Sequence, residues 1–259
     1  MTPFTIEERL MHVTEAERVL GSRFTWLCDT MDNELKHALG NAPNGELVFD
    51  PDGNVATRRG WSNPEALRAD LERLVGPVDE PTVVEDLDMP EVAPAKTIAK
   101  GIVPRVEVVS RMRALRVEPE LDGAKVPFYA KLRAEGDAEL LESGKGTMYV
   151  GFHLDPLYKV HWNNETKPLS FEIEAPAGVR VTPASVVGPD PEEPADADPR
   201  EFLLEVDARE SDGPLELSVR YFACDDALTF CVPVTQRYSI RVERDRDGGS
   251  VHSRTRLGS

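Results

Sequence analysis

Along Leu215, Leu217, Val219 and Tyr221 every second side chain is apolar, while Glu216, Ser218 and Arg220 alternate with them. A repeat of two belongs to a strand with one buried and one wet face. Runs of this kind recur from about Val106 to Val242: Val106–Val109, Ala114–Pro119, Phe128–Ala134, Met148–Leu154, Ser170–Ala175, Phe202–Ala208, Leu215–Phe222 and Tyr238–Glu243. Turn residues separate them and helical period is scarce, which predicts an antiparallel β-sandwich over residues 105–245. Asp137 to Leu141 reads as a single helical turn. Gly188 to Arg200, with Pro189, Pro191, Pro194 and Pro199 among acids, reads as a disordered loop, and residues 246–259 as a flexible tail.

The first 76 residues are punctuated differently. Thr5 can cap a helix to Leu20, with Glu8 three residues on, Ile6, Leu10 and Val13 as its apolar stripe, and Gly21 as its stop. Phe24 to Cys28 reads as a short strand, and Asp29 to Asn33 as a turn opening a helix that ends near Gly40. Glu46–Asp50 and Asn54–Arg58 flank Asp52-Gly53, a strong hairpin signal. Asn63-Pro64 then opens a helix to Val75. The order of helix, strand, helix, hairpin, helix is that of the second half of a thioredoxin-like α/β fold, without the first strand-helix-strand. Residues 77–104, rich in Pro, Glu, Asp and Val, read as an acidic linker. The expectation is thus an α+β chain in two parts, an incomplete thioredoxin-like unit and a β-sandwich.

Acidic side chains outnumber basic ones 47 to 30, a net charge of -17 that repels polyanions. The arginines are scattered among acids, so nucleic acid is excluded as a partner. No window approaches the roughly 18 apolar residues of a membrane span. The start has neither the basic residues nor the apolar core of a secretory signal. Read literally, the chain is cytoplasmic. Half a thioredoxin sheet leaves a bare edge, however, and suggests a chain shortened at its N-terminus, with a periplasmic or extracytoplasmic location for the whole.

The three cysteines are Cys28, Cys224 and Cys231, and only the last two are close in sequence. They lie in Tyr221-Phe-Ala-Cys-Asp-Asp-Ala-Leu-Thr-Phe-Cys-Val-Pro233, between the end of one strand and the start of the next. If those strands pair, the Cα atoms come within the roughly 4.4–6.8 Å that a disulfide spans. Three readings are open: a loop staple, two unrelated buried thiols, or a redox pair. As a staple, closing about eight residues contributes roughly 2.5 kcal/mol by chain entropy. Asp225 and Asp226 should raise a neighbouring thiol's pKa, favouring an electron acceptor or relay over a fast nucleophile. Cys28 reads as a small core residue. His153, Asp155 and His161 could be metal ligands, but no fourth ligand is evident, and satisfied histidines are the better reading. No phosphate loop, Gly-x-Ser-x-Gly or His-Glu-x-x-His occurs.

Two resemblances bear on these choices. Tyr221, Cys224, Phe230, Cys231 and Pro233 match the Tyr-Gln-x-Cys…Phe-Cys-Tyr-Pro pattern of the N-terminal domain of the thiol:disulfide interchange protein DsbD family, with a loop one residue longer. Tyr158 to Asn164, with Pro168, Phe171-Glu-Ile and Pro176-Ala-Gly178, resembles the same family's Trp-His-x-Tyr-Trp-x-Asn-Pro-Gly…Pro…Ile…Pro-x-Gly signature. This likeness covers roughly residues 145–244. It implies an immunoglobulin-like sandwich whose hairpin cysteines, Cys224 and Cys231, relay electrons to or from a thioredoxin-like partner, supported by Tyr221, Phe230 and Pro233. No cofactor beyond the disulfide, and no metal, is implied.

Phe24 to Asn33, with the hairpin after it, resembles the latter part of the iodothyronine deiodinase-like branch of thioredoxin-fold proteins. There a strand ends in Val-Asp-x-Met-x-Asn, and the reactive Cys or selenocysteine lies upstream. Asp29, Met31 and Asn33 fit, and would line a site in a complete fold; alone they read as a strand end and helix cap. The expected function is thiol–disulfide exchange, as an oxidoreductase or relay. The alternatives are a non-enzymatic binding module with a structural Cys pair, and a fragment of a deiodinase-like or peroxiredoxin-like enzyme whose nucleophile lies upstream.

Overall fold

Thr5 sits in extended backbone and accepts the Glu8 N–H on its hydroxyl at 3.2 Å, while the Glu8 carboxylate takes the Phe4 N–H at 2.7 Å. These bonds open α1 (Ile6–Leu20), which Gly21 closes in the left-handed region at φ 59°. The computed structural model describes residues 2–21, 24–42, 44–80, 82–83, 86, 98–122, 127–211, 213–227, 229–249 and 252. They fall into two compact units divided near residue 93.

The first unit continues with α2 (Glu34–Ala38), the hairpin of β1 (Glu46–Phe49) and β2 (Val55–Arg59), and α3 (Pro64–Val75). Asn63 caps α3 through the Ala66 N–H at 3.0 Å, and Pro64 occupies its first turn. The strand expected at Phe24–Cys28 is not formed. β1 and β2 form a two-stranded sheet that this segment does not join. Phe24 and Leu27 stay 84% and 79% exposed. The Arg9 guanidinium instead donates to the Asp29 and Thr30 carbonyls. Arg59 bridges Glu46 of the hairpin and Asp70 of α3.

The second unit contains β3 (Met112–Pro119), β4 (Ala130–Asp137), α4 (Ala138–Ser143), β5 (Lys145–Leu154), β6 (Val160–Asn163), β7 (Ser170–Glu174), β8 (Arg180–Thr182), β9 (Ser185–Val187), β10 (Ala195–Asp196), β11 (Arg200–Asp207), β12 (Leu215–Asp225) and β13 (Cys231–Arg244). Among the described residues these eleven strands form one curled antiparallel sheet, β10-β6-β12-β13-β3-β4-β5-β11-β8, with β7 beside β12 and β9 beside β7. β3 pairs with β13 along its second half and with β4 along its first, so it carries the sheet from one layer into the other. The expected alternation holds in β12, where Leu215, Leu217, Val219, Tyr221 and Ala223 are all buried. They share the core with Leu132, Met148, Val150, Phe152 and Leu204. The Phe171 ring lies 5.6 Å from Phe152 and 5.0 Å from Phe202, across from one layer to the other.

Three expectations need correction. Val106–Val109 forms no strand; one carboxylate takes the Val106 N–H and another the donors just before the segment. Gly101, Ile102 and Val103 donate to Asp198 at 2.7, 2.8 and 3.0 Å, and Val106 donates to Glu201 at 3.2 Å. Residues 188–200 are ordered rather than a disordered loop. β10 pairs with β6, and the fully buried Arg200 forms an ion pair with Asp196 at 2.6 Å. Just before the expected tail the Asp245 N–H bonds the Ala114 carbonyl, and within it the His252 carbonyl accepts the Met112 N–H, while residues 250–251 and 253–259 lie outside the described residues. Within the stretch read as a linker, 81, 84–85 and 87–97 also lie outside them. No described helix is long and apolar enough to cross a membrane.

Candidate functional site

Cys224, next to last in β12, faces Cys231, the first residue of β13, and the two form a disulfide with Cα atoms 4.0 Å apart. The Asp225 N–H bonds the Phe230 carbonyl at 3.1 Å just beyond them. That bond makes the Cys pair a non-hydrogen-bonded, closely spaced pair of the ladder. Asp225 also organises the turn between the strands. Its carboxylate accepts the Phe230 N–H at 2.8 Å, and the Thr229 N–H and hydroxyl, each at 2.7 Å. The Phe230 N–H above all, with the Thr229 donors after burial's opposing push, holds the Asp225 carboxyl below the usual carboxylate range. Its charge is thereby engaged inside the turn, which weakens the expected effect on the neighbouring sulfur.

The two sulfurs sit in unlike surroundings. Cys224 is buried at 6% exposure, whereas Cys231 is exposed. Both line an open groove of about 440 Å³ with His161, Asn163, Phe230 and Pro194. Asn163 donates its side-chain N–H to the Cys231 Sγ at 3.3 Å. His161, 5% exposed, faces Cys224 across the β6–β12 ladder, and its Nδ1 lies 3.1 Å from Asp226 Oδ1. Phe230 packs against Tyr129 at 5.8 Å, and Tyr129 against Tyr158 at 5.3 Å, so one flank of the hairpin tip is aromatic.

Of the residues singled out in the sequence, Cys224, Cys231 and Phe230 meet at this groove. Tyr221 lies in the core beneath, edge-on to Trp162 at 5.4 Å. Pro233 is exposed two residues along β13, opposite Phe222. Asp29, Met31 and Asn33 belong to the first unit. There the Asp29 carboxylate caps α2, accepting the Lys36, Leu35 and Thr30 N–H groups, and Asn33 enters that helix at φ 57°. Cys28 is a half-buried free thiol.

His153, Asp155 and His161 do not converge. Asp155 caps the 3-10 turn Pro156–Tyr158, and His153 bonds Tyr149. Among the described residues no group of three or more His, Cys, Asp or Glu side chains is placed to hold a metal ion. Neither Asn163 nor His161 is legible in the sequence as a neighbour of the Cys pair, because their placement depends on β6 pairing with a strand some sixty residues away. Comparison of the chain with family models, with curated proteins and with solved structures returned no match.

Proposed function

We propose that the second unit exchanges electrons with a partner dithiol through the Cys224–Cys231 disulfide. The unequal exposure of the two cysteines carries this reading. A partner's thiolate reaches Cys231 from the groove, forms a mixed disulfide there, and expels Cys224 as the leaving sulfur. The partner's second thiol then attacks the mixed disulfide and releases Cys231. In all, two electrons and two protons pass from the partner dithiol to the Cys pair, and the reverse sequence oxidises a partner. A passive staple is the weaker reading, since Asp225 already holds the turn through three hydrogen bonds.

The likeness of Tyr221, Cys224, Phe230, Cys231 and Pro233 to the DsbD N-terminal pattern supports the same chemistry, an immunoglobulin-like class for the sandwich, and a thioredoxin-like partner. For the first unit, the likeness of Phe24 to Asn33 is what supports a thioredoxin-related reading with Asp29, Met31 and Asn33 as site-lining residues, and the strand that this reading places before them is not formed.

The test is the midpoint reduction potential, measured by equilibration with glutathione buffers and trapping of free thiols. A reversible couple between roughly -180 and -270 mV is expected, the range of exchange proteins; a value below about -300 mV identifies a staple and overturns the proposal. The trapping variant is Cys224→Ser, which keeps the accessible Cys231 and should accumulate a stable mixed disulfide with a thioredoxin-like partner.

A further inference from the structure

His161, Cys224 and Cys231 occupy directly opposed positions on three adjacent strands, β6, β12 and β13. Opposed residues of an antiparallel sheet project from the same face, with Cβ atoms about 4.5–5.5 Å apart. The histidine therefore stands beside the buried sulfur, on the side away from the exposed one. We infer that His161, oriented by Asp226, gives a proton to Cys224 when the disulfide opens and takes it back when the disulfide forms. This deepens the exchange reading and rests on it.

The need for such a group follows from burial. Attack on Cys231 breaks the S–S bond and leaves its electron pair on Cys224, at 6% exposure. A thiolate held away from water without a counter-charge is costly, and a proton delivered as the bond breaks removes that cost. Acidic side chains occupy the elements beside the imidazole. Asp226 binds Nδ1 at 3.1 Å, and the Asp226 N–H is fixed on the Lys159 carbonyl at 2.9 Å. Glu165 also lines the groove. Asp225 is engaged with the turn, and Asp196, on β10 beside β6, with Arg200. With Nδ1 taken by Asp226, Nε2 is the nitrogen assigned to proton transfer. In the forward step the partner thiolate bonds to Cys231 Sγ, Cys224 Sγ leaves, and His161 passes from imidazolium to neutral imidazole. In the reverse step neutral His161 takes the Cys224 proton as that sulfur attacks the mixed disulfide and expels the partner's thiolate.

The experiment uses the whole chain with dithiothreitol as the dithiol. Rates of reduction of Cys224–Cys231 are followed from pH 5 to 9 by quenched alkylation, for the wild type, His161→Gln and Asp226→Asn. The expected result is a loss of about tenfold or more at neutral pH in His161→Gln, with one inflection of the wild-type profile removed, and a smaller loss in Asp226→Asn. Profiles of His161→Gln and the wild type that superimpose after correction for dithiothreitol ionisation overturn the inference. The midpoint potential separately decides the exchange reading, so the two fail distinguishably. Should His161→Gln not fold, Asp226→Asn decides: an unchanged profile in that variant overturns the assignment.

Discussion

Tyr149 lies along β5 over Gly151, where an added Cβ would fall 2.2 Å from the phenolic oxygen. Glycine there lets the hydroxyl donate to Glu201 at 2.7 Å and leaves its oxygen 3.2 Å from His153 Nε2. Burial, then the Glu201 contact, pushes the Tyr149 phenol above its usual range. Burial also opposes ionisation of Glu201, but hydrogen bonds from Arg105 and Tyr149 outweigh it and hold that carboxyl below its usual range. Burial first, then Arg133, depresses His153 from 6.5 to about 4. Between those values the unfolded chain accepts a proton that the folded one refuses. The contribution is therefore fully present above pH 6.5 and is lost as pH falls towards 4. By linkage this amounts to roughly 2 kcal/mol between pH 7 and pH 5. Urea unfolding at the two pH values should show that drop in the wild type and a flatter response in His153→Gln; equal drops in both refute the assignment.

At the scale of elements, two tyrosines tie the layers of the sheet together. The Ala130 N–H, at the start of β4, donates to the Tyr221 hydroxyl of β12 at 3.0 Å, and the Tyr238 hydroxyl of β13 donates to the Ala130 carbonyl at 3.1 Å. The Tyr221 hydroxyl passes its own proton to Gln236 Oε1 at 3.0 Å. Tyr221→Phe strands the buried Ala130 N–H, while Gln236 Oε1 keeps the Tyr238 hydroxyl at 3.2 Å, and should lower stability by about 1–3 kcal/mol. Denaturant midpoints measure this, while a thiol count should show Cys224–Cys231 still oxidised. Loss of the disulfide in that variant would instead place Tyr221 in the redox site itself.

For the whole molecule, every buried apolar side chain among the described residues except Val48 lies in the second unit. The helices of the first unit leave Leu10, Leu20, Leu71 and Val75 exposed. Cooperative unfolding requires a buried apolar core large enough to offset chain entropy. Residues 94–259 expressed alone should therefore melt cooperatively within a few degrees of the full chain's main transition, and residues 3–93 alone should give no comparable calorimetric peak. A sharp transition from the shorter fragment would contradict this distribution of stability.

What could be read from the chain alone was whatever neighbouring residues decide. Thr5, Asn63 and Gly21 mark helix ends through bonds and dihedrals within a few residues, and the alternation of β12 reports which face meets a core. The Cys pair belongs to the same class, because one hairpin brings both cysteines together. Phe24–Cys28 looks like a strand but pairs with none, and residues 188–200 look too polar to pack. The second impression fails because Arg200 answers Asp196 and Asp198 answers three distant backbone N–H groups. His161 and Asn163 beside the cysteines were likewise beyond local reading. The pairing of β6 with β12 is set by which apolar faces share a core, and only the folded sheet supplies that register.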